Sequence, residues 1–335
     1  MNILIHMYFS IVCPAYNVEN YISECINSVI KQSFCDWEMI IVNDESSDNT
    51  CEIIHSFLKD KRISLFSIPH SGQTIARNFG INKAVGDYIL FLDSDDCLNK
   101  NTLQFLHDNI AYYSSDILSF GMKYFNSVNE FDNQDEIDFK VEVFSKDNIL
   151  KHYYGDNKTM SLCGNAIKRE LVVEGFKTIP ESLRTIRLCE DFVALFEIIK
   201  LCSSSAVLNV PLYYYRINPN SVSHTKLPGD RADLTAAYEH VYRGYFEIET
   251  SDNSIINKTK VFLSYLPITL VINEHVHKYR TFLKARRMFL FKRFSLNNKW
   301  ESCLLKILVF AMKRRLYVLF LVSNFIYLKK YSNKK

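Results

Sequence analysis

Over the first hundred residues, apolar and polar positions alternate in blocks. Phe9-Ser10-Ile11-Val12-Cys13 is a short apolar run stopped by Pro14. Glu19 to Lys31 then places Tyr21, Ile22, Cys25, Ile26, Val29 and Ile30 at spacings of three and four, the period of a helix with one buried face. Trp37 to Val42 reads as a second strand, and a helix is expected from about Asn49 to Leu58, with Asp48 or Asn49 as its cap and Glu52 in its first turn. Ile63 to Ile68, ended by Pro69, is a third strand, Thr74 to Ala84 a third helix, and Tyr88 to Leu92 a fourth strand. These strands are almost continuously apolar, as strands are when helices cover both faces of a parallel sheet. The expected fold is therefore α/β, a mainly parallel sheet flanked by helices.

In open α/β sheets, ligands bind beyond the carboxyl ends of the strands. Three polar clusters stand at those ends: Pro14-Ala15-Tyr16-Asn17, Asn43-Asp44 and Asp93-Ser94-Asp95-Asp96. After about residue 115 the pattern loosens. Asn126 to Lys140 is an acidic, polar surface excursion, Ser145 to Tyr154 a short helix, Glu190 to Lys200 a clearer one, and the chain reads as helical from Asp230 onward.

Composition narrows the chemistry. The 335 residues are 48% hydrophobic and carry a net charge of +3, which suits a packed core and gives no case for nucleic acid as a partner. Nine cysteines, odd in number and nowhere spaced C-x-x-C, argue against a disulfide framework and against structural zinc. The first seven residues lack the basic start and small-residue cleavage site of a signal peptide, so a cytoplasmic location is expected. No uninterrupted apolar run reaches the ~18 residues of a membrane span.

Nor is there a glycine-rich phosphate cradle. The nine glycines fall into neither G-x-G-x-x-G nor G-x-x-x-x-G-K-[ST]. A bound nucleotide diphosphate would need another source of positive charge, and carboxylates holding a divalent cation supply one. In Asp93-Ser94-Asp95 the two carboxylates stand two residues apart, and in an extended segment both project to one side.

These residues resemble glycosyltransferase family 2, inverting enzymes with the GT-A fold. The resemblance is carried by Ser10 to Asn17 (SIVCPAYN), Ile41 to Thr50 (IVNDESSDNT), Gly72 to Gly80 (GQTIARNFG) and Gly86 to Asp96 (GDYILFLDSDD). It covers about residues 8 to 100, extends more weakly to about 225, and implies a nucleotide-binding GT-A sheet. The domain would occupy 1–225, with a donor half at about 8–115 and an acceptor half at about 116–225, followed by a helical C-terminal region at 226–335. By that resemblance Pro14, Tyr16 and Asn17 would shape a uridine pocket beside Asp44, whose carboxylate would accept a hydrogen bond from uracil. Arg77 would lie near the diphosphate or the acidic loop, Asp93 and Ser94 would contact the donor, and Asp95 would ligate Mn²⁺ or Mg²⁺. Glu45 stands where the family often has glycine.

Inverting transfer needs a carboxylate, separate from the metal ligands, to take the acceptor's proton. Glu190-Asp191 resembles the family's E-D pair at a helix start; Asp191 is the expected base, with Glu190 as its competitor or as an acceptor contact. Tyr213-Tyr214-Tyr215-Arg216 and Ser221 to His224 resemble a segment that closes over the diphosphate, offering His224 as a third metal ligand and Arg216 or Lys226 to phosphate. Cys163 to Lys168 departs from the family's W-N-K pattern, which weakens any transfer of acceptor contacts onto Asn165 and Lys168. The basic stretch Lys278 to Arg293 and the apolar, aromatic stretch Leu304 to Leu328 admit two readings. One is packing on the domain or on a second subunit as a homodimer; the other is a peripheral seat on the inner face of the cell membrane. The function expected is metal-dependent transfer from a UDP-sugar to a hydroxyl of a growing surface glycan, lipid-linked or free. The alternatives are a nucleotidyltransferase that makes sugar nucleotides and a non-catalytic sugar-binding member of the fold.

Overall fold

The computed structural model describes residues 8–126, 140–150, 152–153, 161–218 and, beyond them, 230, 232–234, 236–237, 240–241 and 244. The chain divides into two compact units, Met1–Val241 and Tyr242–Lys335. The fold below is that of the first. Most of the excursion from Asn126 to Lys140, the segment carrying His224 and Lys226, and both C-terminal stretches lie outside the described residues.

The first half is built as the apolar blocks require. Strands β1 (Phe9–Ala15), β2 (Trp37–Asn43), β3 (Ile63–Ser67) and β4 (Tyr88–Phe91) alternate with helices α1 (Ile22–Ile30), α2 (Thr50–Phe57) and α3 (Gln73–Ile81). The strands pair in parallel in the order β3-β2-β1-β4, with β1 central. Pro14 does not stop β1. Pairing with β4 ends at Val12, so beyond it β1 has only β2 alongside, and the N–H that proline lacks costs no ladder bond on the open side. Helix α3 lies close on β1 and β2 because Gly80 leaves room: a Cβ there would come within 2.6 Å of Val12 Cγ1. That approach sets the depth at which Arg77, one turn earlier, enters the interior.

The second half extends the sheet with mixed pairing. After β5 (Cys97–Leu98) and α4 (Thr102–Tyr113) come β6 (Ile117–Phe125), β7 (Val141–Ser145), α5 (Lys146–Leu150), β8 (Asn165–Lys168), α6 (Arg169–Thr178), α7 (Glu190–Ile199) and β9 (Ser204–Arg216). The order continues β4-β8-β6-β9-β5, with β8 antiparallel to both β4 and β6, and β7 pairing with β9. Among the described residues this makes nine strands in one sheet, parallel at its β3–β4 end and mixed beyond, with helices packed on it. Strand β9 contains Pro211, tolerated where its register against β6 shifts around Gly121. Its last residues return to pair with β5, antiparallel, through Tyr213 and Tyr214. This return brings the end of β9 against the acidic loop between β4 and β5. Among the described residues, no helix is long and apolar enough to cross a membrane.

Candidate active site

The site lies at the carboxyl ends of β1, β2 and β4, across from the start of α7. At the end of β1, Pro14 is buried while Tyr16 projects outward, 46% exposed, and stacks on His70 with ring centroids 4.4 Å apart. Asn17 takes a left-handed φ of +51° and its side-chain oxygen accepts the N–H of Ser47 at 2.8 Å, tying the β1 loop to the β2 loop.

Asp44, at the end of β2, is 4% exposed. Its Oδ1 accepts the Ser71 N–H at 2.8 Å and its Oδ2 the Gly72 N–H at 3.0 Å, with His70 Nδ1 at 3.1 Å from Oδ2. The carboxylate thus fastens the loop that enters α3, and Gly72 supplies the φ of +89° that this loop needs. Glu45 sits at φ +60°, which explains why glycine suits this place. Its carboxylate recovers part of that cost by accepting the His70 N–H at 3.0 Å.

The acidic loop divides its carboxylates. Asp93 accepts from Arg77 Nη2 at 2.9 Å and Gln73 Nε2 at 3.0 Å, both from α3. Asp96 is buried and structural: its Oδ2 accepts the Tyr213 hydroxyl at 2.6 Å and its Oδ1 the Arg216 N–H at 2.7 Å. Burial, with Asp93 and Asp95 beside it, pushes the Asp96 carboxyl up to about 8. The Tyr213 hydroxyl in turn accepts the Asp93 N–H at 3.2 Å. Ser94 is buried between them. Asp95 keeps its carboxylate least engaged, with Asn218 Nδ2 3.3 Å from Oδ2, and burial and then Asp93 raise its pKa. Arg216 faces this loop rather than an open cleft. Its Nε donates to the Asp95 carbonyl at 2.6 Å, its Nη2 to Glu24 at 2.5 Å, and the guanidinium lies 4.4 Å from the Phe125 ring centre and 5.0 Å from that of Tyr21.

Arg77 joins the two halves. It is 2% exposed, and while Nη2 holds Asp93, Nη1 donates to Glu190 Oε1 at 3.2 Å. Buried between carboxylates from chain segments far apart, this guanidinium stays charged; its pKa is raised by Asp93 and Glu190 against the opposing effect of burial. Burial and the neighbouring Asp191 push Glu190 up to about 7, against Arg77, which lowers it. Asp191 is also raised, by burial first, with Arg77 and a hydrogen bond from Ser161 pulling the other way. Its Oδ1 accepts the Phe192 N–H at 3.0 Å.

Ser161, which holds Asp191, escaped the sequence reading, and Gln73 and Tyr213 appeared there only within motifs, without the roles seen here: Gln73 holds Asp93 and Tyr213 pins the acidic loop. Asn165 acts behind Ser161: its side-chain amide donates to the Ser161 carbonyl at 2.8 Å and shapes the turn. Lys168 instead pairs with Asp116 at 2.7 Å. Nothing in the local pattern around Ser161 or Gln73 signals these contacts, since each spans a distance that only the fold closes. Among the described residues, no group of three or more His, Cys, Asp or Glu side chains is arranged to hold a metal. His224 lies outside them.

A parallel half-sheet with carboxylates beyond its strand ends, extended by strands of mixed direction, is an α/β architecture whose ligands bind at the carboxyl ends of the strands. Residues 10–176 match the family model described as glycosyl transferase family 2. The chain is 30% identical over 231 residues to glycosyltransferase GlyA of Streptococcus pneumoniae, covering 64% of this chain and 31% of GlyA. It is 32% identical over 226 residues to the glycosyltransferase EpsJ of Bacillus subtilis, covering 65% of this chain and 63% of EpsJ. The crystal structure of S. aureus TarS in complex with UDP-GlcNAc shares the fold, with a TM-score of 0.60, 24% identity, and coverage of 78% of this chain and 72% of that one. The chain belongs to glycosyltransferase family 2, and the expected GT-A sheet is the one observed.

Proposed function

We propose that the protein transfers a sugar, with inversion, from a UDP-sugar to a hydroxyl of a growing cell-surface glycan, with Asp191 as general base. The observation that carries this reading is Arg77, which ties donor-side Asp93 to Glu190 beside Asp191 through one buried guanidinium. A donor held at the β4 end would therefore face the start of α7. The UDP-GlcNAc complex of the fold neighbour supports a uridine diphosphate donor.

In this reading Tyr16 and Asn17 flank the base and ribose, while Asp93 and Ser94 border the sugar. Asp95 fits a cation: it is a carboxylate oxygen donor whose ionised form burial and Asp93 both disfavour, so a nearby positive charge would be stabilised. A divalent cation, Mn²⁺ or Mg²⁺, would neutralise charge developing on the UDP leaving group. Asp191 takes the proton from the attacking hydroxyl oxygen, and its raised pKa makes it a stronger base than an exposed aspartate. Glu190, engaged with Arg77, orients the turn. The C-terminal region would bring the enzyme to a lipid-linked or glycan acceptor at the membrane or to a second subunit.

The test is UDP release from a panel of UDP-sugars with Mn²⁺, Mg²⁺ or chelator, comparing wild type with Asp95→Ala. Release that needs metal and falls in the variant supports the assignment. Release unaffected by chelator, or full activity in Asp95→Ala, removes the metal role.

A further inference from the structure

Helix α7 begins on a constrained turn. Cys189, immediately before Glu190, has a φ of +63°, a conformation disfavoured for any residue with a Cβ, and no side chain caps the helix here. Such a residue persists only where its surroundings enforce it. A set of charged contacts lies two residues upstream. The Arg187 N–H donates to Asp233 Oδ2 at 2.7 Å, while its Nε and Nη2 donate to Asp230 Oδ1 and Oδ2 at 2.8 and 2.5 Å. This is a forked arginine–carboxylate pair, the stronger and more directional kind. It is partly withdrawn from water, with the two side chains 26% and 15% exposed.

A second contact lies farther along the same helix. Glu197, 1% exposed, accepts from His240 Nε2 at 2.8 Å, as well as from Thr178 and Lys200. From Arg187 to Glu197 and from Asp230 to His240 the chain advances the same ten positions (197 − 187 and 240 − 230). The two contacts therefore follow the same chain direction along α7 and along the described residues between 230 and 241.

We propose that Arg187, clamped by Asp230 and Asp233, is a positioning residue that sets the direction in which Glu190 and Asp191 leave the start of α7. The proposal rests on Asp191 being the base. It implies that Asp230 and Asp233 tune the proton-accepting side of the site. Donor-side Asp44, Asp93 and Asp95 sit in the loops after β2 and β4, and neither Arg187 nor Asp230 is among the hydrogen-bond partners of their side chains.

The experiment compares full-length wild type with Arg187→Ala, Arg187→Lys, Asp230→Asn and the reversed pair Arg187→Asp/Asp230→Arg. Two readouts are taken: steady-state UDP release from the UDP-sugar that wild type turns over, and amide hydrogen exchange of the peptide spanning 186–192. Arg187→Ala and Asp230→Asn should lower kcat by on the order of 10²-fold with the donor KM nearly unchanged, as misdirection of a catalytic group does. The lysine variant should recover part of this and the reversed pair most of it. Exchange at 189–192 should quicken about tenfold while β1 to β4 keep their protection. Wild-type kcat in Arg187→Ala, a donor KM rising in step with the loss, or exchange rising uniformly across the domain would each overturn the proposal. If wild type releases UDP from no sugar nucleotide, the functional reading fails, and the exchange readout still decides this one: unchanged protection at 189–192 overturns it.

Discussion

The donor side and the base side proposed for this site are built in opposite ways. On the donor side, Asp44 and Asp93 are held by groups less than thirty positions away in the chain: Ser71, Gly72, Gln73 and Arg77. On the base side, Glu190 is held by Arg77 from 113 positions away, and Asp191 by Ser161 on the turn before β8. These donor-side carboxylates are held from within the contiguous β1–β4 segment, while the backbone of the acidic loop is also pinned from β9 by Tyr213 and Arg216. The base side exists only once the sheet has been extended, and single side chains carry it. One guanidinium belongs to both.

The largest departure should therefore come from Arg77. Replacing it by leucine leaves the largely buried Glu190 without this partner while the part-exposed Asp93 keeps Gln73, and breaking a buried pair costs about 3–5 kcal/mol. Chemical denaturation of Arg77→Leu should show a loss of that order together with loss of transfer. A near-neutral result would mean that the two halves are not coupled through this residue.

A smaller effect should separate the sides. Ser161 lowers the pKa of Asp191, so removing its hydroxyl lets the Asp191 pKa rise further. A base works only when deprotonated, so activity is lost as pH falls through the folded-state pKa. In Ser161→Ala that acid limb should move to higher pH, with activity lowered more at pH 6 than at pH 8 and UDP binding unaffected. A limb that stays in place would detach Ser161 from the base.

The smallest change is expected at the donor rim. Glu45→Gly relieves a left-handed residue, worth about 1–2 kcal/mol, but gives up the bond to the His70 N–H, worth about 1 kcal/mol. Stability in denaturant should stay within about 1 kcal/mol of wild type. A loss above about 2 kcal/mol would assign this loop a strength that the bond count does not supply.

The same contrast governs what could be read from the chain. The parallel half was legible because its strands are continuous apolar runs and its helices keep one buried face; the boundaries differ by a few residues, and Pro14 misled because the loss of a ladder partner beyond Val12 is a tertiary fact. Strands β6, β8 and β9 were missed. Strand β9 carries Asn209 and Pro211 among its apolar positions, and its bulged register against β6 accommodates the proline only once both strands are present. In the site, the acidic run was visible, but what holds its loop in place was not. Asp96 became a buried strut because β9 returns with Tyr213 and Arg216, and Arg216 turned from a cleft contact into the support of the Asp95 carbonyl.

The central claim is that donor binding and proton removal are separate tasks assigned to the two sides. The most direct measurement pairs UDP binding by calorimetry with UDP-sugar turnover in Asp191→Ala. The account predicts a UDP affinity equal to wild type with turnover lower by about 10²–10⁴-fold, the contribution of a positioned general base. Turnover retained in the variant, or UDP affinity lost along with it, would contradict the account.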